Sequence, residues 1–341
     1  MPRFADIATG GIIANQNALV ASTLPKLSSE VADNVFNNLP FFMWIRSKNR
    51  VKPWDTGESM EVPLMYGTNE YAGAYDDYEL LDTGPPSGFG NAIFMRAKYR
   101  VPILYAATTL SANSGRAQIY NLIENLKMQA QKSLEKVMND DLMRADGTND
   151  NDSKRLTNIA YMIEDKTAQD HIVGGISKST NEWWRNQYTG SSSSGDADVL
   201  DTLRTNVVAC TDGNDAPDLG LCDSTSFLKI ESLAFDKRRF VNAAAANLGF
   251  QNIVYNGVTY MFDKNLDDIC MTSSVEGGIT FHINSDHMYV AVCTDRNFQV
   301  IAPQYDVNQD CYLGAIIAHM QVIVDKMSCH GVVTGTQGYP G

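Results

Sequence analysis

Leu27, Val31, Val35 and Leu39 recur every four residues, the spacing of one face of an amphipathic helix. Ser28 or Ser29 can cap its start, and Pro40 is expected to end it. From Trp44 to Lys52 the period changes to two. Arg46, Lys48, Arg50 and Lys52 then fall on one face of a predicted strand, with Ile45 and Val51 on the other. Met60 to Tyr66 and Ala92 to Leu104 read as two longer strands around a polar, acidic stretch with Gly and Pro, Tyr71 to Gly90. Together they predict a long two-stranded excursion with an irregular tip. Such a ribbon is marginal alone, and the sequence offers it no obvious surface to lie on.

The strongest periodic signal is a predicted helix from Ser114 to Ala145. Ile119, Leu122, Ile123, Leu126, Ala130, Leu134, Val137 and Met138 make one apolar stripe along it. Asn113 or Ser114 can cap its start and Gly147 its end. At about 1.5 Å per residue it would run roughly 45 Å, a length suited to spanning a plate. Asp146 to Ser153 reads as a turn-rich loop, Ile159 to Ile163 as a strand, and Ser191 to Gly195 as a surface loop. Two more helices are expected over Asp198 to Ala209 and Ser224 to Leu248. A hairpin is expected over Val254 to Phe262, turning at Asn256-Gly257. Thr280 to Ile283, Met288 to Val292 and Ile316 to Met327 read as strands. The order is mixed α+β, without internal repeat.

Length changes this picture little: 341 residues allow two compact units with real cores. The net charge of -13 argues against a basic nucleic-acid grip. Cys210, Cys222, Cys270, Cys293, Cys311 and Cys329 show no C-x-x-C spacing and read as small buried hydrophobes, reduced in a cytosol. Met1 to Pro25 has no signal-peptide pattern and reads as the start of an extended arm. No run approaches the length of a membrane span.

Four segments, taken in order, resemble the major capsid proteins of tailed bacteriophages. They are Asp55-Thr56-Gly57 leading to Val62-Pro63-Leu64 and Tyr71-Ala72-Gly73-Ala74-Tyr75; Asn113-Ser114-Gly115 opening the long helix that ends in Ala145-Asp146-Gly147-Thr148; Val173-Gly174-Gly175-Ile176-Ser177 with Trp183-Trp184-Arg185-Asn186; and His319 to Lys326 closing with His330-Gly331-Val332-Val333-Thr334-Gly335. The resemblance covers almost the whole chain and implies the Hong Kong 97-type fold. It implies an N-terminal arm over residues 1–50, an extended E-loop over 51–105, a P-domain over 106–165 and 286–341 carrying spine helix 114–145, and an A-domain over 166–285. It also implies a shell of hexamers and pentamers enclosing double-stranded DNA without sequence-specific binding. The implied partners are a scaffolding protein, a portal, a maturation protease and decoration proteins. A bacterial encapsulin shell shares the fold and stays open as an alternative. A cytosolic hydrolase of mixed fold is the reading from another class.

The candidate inter-subunit residues are opposite charges. Arg46, Lys48, Arg50 and Lys52 form the densest basic cluster; Glu70, Asp76, Asp77, Glu79 and Asp82 crowd the excursion. No Lys or Arg lies between Lys52 and Arg96, so a covalent crosslink through an E-loop lysine is not expected. The basic cluster reads equally as a solvated strand face, and contact with packaged DNA is a weaker third reading. Trp183, Trp184 and Arg185 read as packing or interface anchors rather than a base-stacking patch. The loop after Asp140 and Asp141 lacks the ligand order of a calcium loop. His171, His282, His287, His319 and His330 show no metal-binding spacing, and no nucleophile elbow or phosphate loop occurs. No catalytic residue, metal or cofactor is expected.

Overall fold

Pro40 opens a helix. In the first helical turn its missing N–H costs nothing, and α1, Pro40–Ser47, follows it with Phe41, Phe42, Trp44 and Ile45 buried. The alternating cations that suggested a strand are therefore on a helix end, a turn and a strand start. Arg46 is in α1, Lys48 caps it, Asn49 takes φ 56°, and only Lys52 lies in β1, Val51–Trp54. The structure, a computed structural model, describes residues 39–55, 57–69, 71–77, 80, 84, 87–108, 116–143, 154–190, 196–235, 252–267, 278–306 and 309–335. The helix expected over Leu27 to Leu39 lies outside these residues except for Leu39.

Two sheets carry the fold. In the first, β14 (Cys311–Val324) is the central strand. One of its edges pairs with β4 (Ala97–Ala106) and the other with β12 (Met288–Cys293) and β13 (Gln299–Asp306), all antiparallel. β1 adds in parallel to β12. The predicted strand Ala92 to Leu104 is thus two strands broken at Arg96: β3 (Phe89–Met95) pairs with β2 (Ser59–Met65), while β4 joins the sheet.

Helix α2, Arg116–Leu142, lies against β4. Ala130, Leu134, Met138 and Leu142 are buried in i, i+4 steps, with Leu126 partly so. Val137, expected in the stripe, is 45% exposed. Each four-residue step turns about 40° past a full rotation, so the buried line winds away from it. The side chains of Ile119, Leu122 and Ile123, the caps at 113, 114 and 147, and the loop 146–153 lie outside the described residues. Inside, the Tyr99 hydroxyl donates to Asp141 (2.8 Å) and accepts from the Leu156 amide (2.9 Å). Burial first, then the Asp141 charge, raises the Tyr99 pKa, against the Leu156 bond that lowers it. The tyrosine stays neutral and ties helix to strand.

The second sheet runs β7 (Gln187–Gly190), β15 (Gly331–Thr334), β11 (Ile279–Ile283), β8 (Leu219–Cys222), β10 (Val258–Phe262) and β9 (Asn252–Tyr255). The β9–β10 hairpin turns at Asn256 and Gly257, both at positive φ, as the Asn-Gly pair predicts. Helices α4 (Asp196–Cys210) and α5 (Ser224–Phe235) pack on it through Val199, Leu203, Val207, Phe227 and Ile230. The rest of the helix expected to Leu248, and the loop 191–195, fall outside the described residues. Ile159–Met162 is not a strand but a short helix, α3, capped by the Asn158 side chain accepting from the Ala160 amide. Its buried apolar run is too short for periodicity to tell strand from helix. β8, β11 and β15 are buried at every position, so they carry no alternation. Among the described residues no helix is long and apolar enough to cross a membrane.

Candidate functional site

The ribbon β2–β3 is a two-stranded sheet outside both larger sheets. Its pairing puts Met60, Val62 and Leu64 opposite Phe94, Ala92 and Gly90 on one face. That face leans on its own chain, contrary to the expectation that no surface was available. The Ile93 amide donates to the Gly174 carbonyl (2.8 Å) in the turn between β5 (Ile172–Val173) and β6 (Ile176–Ser177). Tyr66 stacks on Trp183 with centroids 4.3 Å apart.

The opposite face looks outward. It pairs Met65 with Phe89, Glu61 with Ile93 and Ser59 with Met95. Met65 is 76% exposed, Phe89 68%, Ile93 44% and Met95 44%. Beyond the paired residues, Tyr75, Asp76, Asp77 and Leu80 are also exposed. Glu70, Glu79 and Asp82 lie outside the described residues.

The basic cluster does not stand free. Lys48 Nζ is 3.0 Å from Asp218 Oδ2, which also accepts from Trp44 Nε1 (3.2 Å) and Ser285 Oγ (2.5 Å). Arg50 pairs with Asp286, and Lys52 Nζ sits 3.6 Å from the centre of the Tyr289 ring. These bonds join α1 and β1 to the residues around β8 and β12. Sequence could not show them, because the acceptors are distant in the chain.

Trp184 is buried and donates from Nε1 to the Val173 carbonyl (3.0 Å). Arg185 bonds the carbonyls of Lys178 and Ser179 and the Glu182 carboxylate. Both side chains thus pack the β5–β6 region and neither presents a base-stacking face. Beside them is a group that pattern reading missed, since a lone Lys or Glu gives no signal. Lys178 is fully buried, with Nζ donating to Met162 O (2.6 Å) and Asn186 Oδ1 (2.7 Å) and lying 3.6 Å from Glu164. Burial pulls its pKa down to about 8, and Glu164 opposes that fall.

The histidines form no nucleophilic triad among the described residues. His282 is buried between Tyr260 Oη (3.0 Å) and Asn206 Oδ1 (2.6 Å), while Ser285 bonds Asp218 instead. Cys210, Cys222, Cys293, Cys311 and Cys329 are buried free thiols; Cys270 lies outside the described residues. Two clusters bring three metal-type donors within 4.8 Å: Asp215, His287 and Cys329, and Glu164, Asp170 and His171. Each already holds an ammonium group, Lys326 at 3.0 Å from Asp215 and Lys166 at 2.5 Å from Asp170. Their arrangement is that of ion-pair networks.

No family model matches the chain, and no curated protein matches its sequence. Solved structures do match it. A chain of the cyanophage A-1(L) capsid asymmetric unit superposes with a TM-score of 0.58 at 12% identity, over 85% of this chain and 91% of that one. The capsid of a native GTA particle gives 0.56 at 11% identity, over 85% and 89%. The capsid of Myoviridae phage XM1 gives 0.54 at 9% identity, over 85% and 90%. The chain is an α+β protein with a phage capsid fold. More narrowly, it is the fold of chains in the capsids of cyanophage A-1(L) and Myoviridae phage XM1.

Proposed function

We propose that this chain is the major capsid protein of a tailed double-stranded DNA phage, with the Hong Kong 97-type architecture. It assembles as hexamers and pentamers into an icosahedral head, made in the host cytoplasm and located in the virion. The observation that carries this reading beyond fold likeness is the ribbon β2–β3. It stands apart from both large sheets and exposes Met65, Phe89, Ile93 and Met95 on one face. A face of that kind is a liability on an isolated subunit and an asset under a neighbour.

In this reading residues 51–105 contain the E-loop, although β1 and β4 at its ends belong to the first sheet. Residues 1–50 are the arm, ending as α1 in the core. The P-domain is 106–165 and 286–341, with β15 crossing into the second sheet; the A-domain is 166–285. The acidic tip docks on a neighbouring subunit. Since Lys48 and Arg50 hold in-chain anions, such docking exchanges partners rather than filling empty cations. Each exposed pair contributes at most ~1 kcal/mol, so it sets register more than affinity. A scaffolding protein, a portal and decoration proteins are the expected partners, and the enclosed DNA is not read by sequence. The role is mechanical, not catalytic.

The test is electron microscopy of the chain expressed with and without its neighbouring phage genes, at low and high salt. Shells, tubes or hexameric rings support the proposal. A monodisperse small oligomer in every condition, co-expression included, overturns it.

A further inference from the structure

Two of the connections between the two sheets run side by side: residues 284–287, from β11 to β12, and residues 325–330, from β14 to β15. A turn on the second sheet's side, 212–215 between α4 and β8, closes over them. His287 stands where the three meet. Its Nδ1 is 2.8 Å from Asp325 Oδ1 and its Nε2 is 3.1 Å from Asp215 Oδ2. The second approach lies off the ideal hydrogen-bond line and is an ion pair rather than a straight bond. A neutral imidazole has one N–H and one lone pair. Between two carboxylates one lone pair must face an oxygen, so only the imidazolium suits both sides.

We propose that His287 is the pivot of an ionic latch, which holds the turn 212–215 on the two crossing connections while the ring is charged and loosens that seam when the ring loses its proton.

The surrounding charges favour this. Asp212 and Asp215 come from the turn, and Asp325 and Lys326 from the end of β14. Lys326 Nζ is 2.8 Å from Asp212 and 3.0 Å from Asp215. Cys329 and the fully buried His330 lie on the second connection, and Asp286, beside His287, is held by Arg50. Three carboxylates thus face two cations. Loss of the His287 proton leaves three against one.

The directions of titration agree. The Asp325 bond, with help from Asp215 and against burial, holds His287 above the ordinary 6.5. Bonds from Lys326 and His287 hold Asp215 below the ordinary 3.8. For Lys326, burial is outweighed by its bonds to Asp212 and Asp215, so its charge persists. A raised histidine contributes fully below 6.5 and loses its contribution as pH rises through its folded value. Asp215 contributes above 3.8 and fails only as pH falls through its own. The latch is closed between these limits and opens on the alkaline side.

The inference does not depend on the capsid reading and is tested on the full chain in any assembly state. Hydrogen exchange is followed by mass spectrometry at pH 6.0 and 8.5, with labelling times scaled for the intrinsic pH dependence. Peptides covering 211–218, 284–288 and 324–330 should exchange faster at pH 8.5. The gain is about tenfold per unit by which the folded pKa exceeds the unfolded one. Helix α2 should not change. In His287→Asn the pH response of these peptides should vanish. In Asp325→Asn, a milder variant, its midpoint should move to lower pH. Equal protection of the wild type at both pH values overturns the latch, as does an unmoved midpoint in Asp325→Asn.

Discussion

The rings of Tyr66 and Trp183 lie 10° from parallel, 4.3 Å between centroids, and fasten one end of the ribbon to the β5–β6 region. A stacked aromatic pair contributes about 0.5–1.5 kcal/mol beyond its burial. Trp183→Ala should therefore leave global stability nearly unchanged but free the ribbon. Limited proteolysis should show faster cleavage between residues 66 and 89. Unaltered cleavage would mean that the stack fastens nothing.

Gly174 and Gly175 make a matched pair. Both have positive φ, 60° and 77°. A Cβ on Gly174 would lie 2.9 Å from the Ala92 Cβ and 3.1 Å from the Phe94 ring, whereas one on Gly175 meets nothing within 4 Å. Gly175→Ala should cost only the left-handed backbone penalty, about 1–2 kcal/mol. Gly174→Ala should cost that and roughly 1–3 kcal/mol more, because the ribbon must shift. Urea unfolding of the two variants checks the difference.

Acid should unfold the chain through two histidines that the latch does not use. His282 and His330 are fully buried, and burial pushes both pKa values down to about 3. The unfolded chain takes up these protons below 6.5 and the folded chain does not. Stability is thus lost as pH falls through this window, by about 1.4 kcal/mol per pH unit for each histidine. His287, raised above 6.5, is charged in both states there and adds no slope. Urea unfolding at pH 6.5, 5.5 and 4.5 should show the decline; a flat profile would contradict the neutral burial of both rings.

Assembly should depend on the outer face of the ribbon. Ile93→Lys changes an exposed residue that faces Glu61 across the ribbon, so the subunit should keep its far-UV circular dichroism and melting point. In an interface it would replace an apolar contact of about 1.5–3 kcal/mol by a buried charge. The concentration needed for shells should rise more than tenfold in light scattering. Assembly at the wild-type threshold would remove the ribbon from the interface.

The lysine gap gives a further expectation. With no Lys from residue 53 to 95, no ribbon amine can form an isopeptide bond. Mature particles boiled in detergent should run as single subunits; a ladder of joined chains would place a crosslink elsewhere.

How far the sequence could be read depended on burial. Ala130, Leu134 and Met138 were legible because α2 buries one side only, and the Asn256-Gly257 turn because positive φ favours those residues. The ribbon was legible from its two flanking strands. Arg46 to Arg50 misled, since alternate cations imitate a strand while the real signal was Phe41, Phe42, Trp44 and Ile45, buried together after a proline. β13 escaped notice because it is largely exposed and contains Pro303. The His287 network joins residues remote in the chain, and the Lys178 group joins residues 8 and 16 apart across irregular segments, so no regular spacing could reveal either.

β14 has a consequence beyond topology. Both its edges are bonded, to β4 along 311–320 and to β13 and β12 along 311–317 and 320–324. A pull along the strand must shear both ladders together, whereas a pull across it can peel bonds one after another. The subunit is therefore mechanically anisotropic, stiffest along β14. A sheet of such subunits would yield first across their strands.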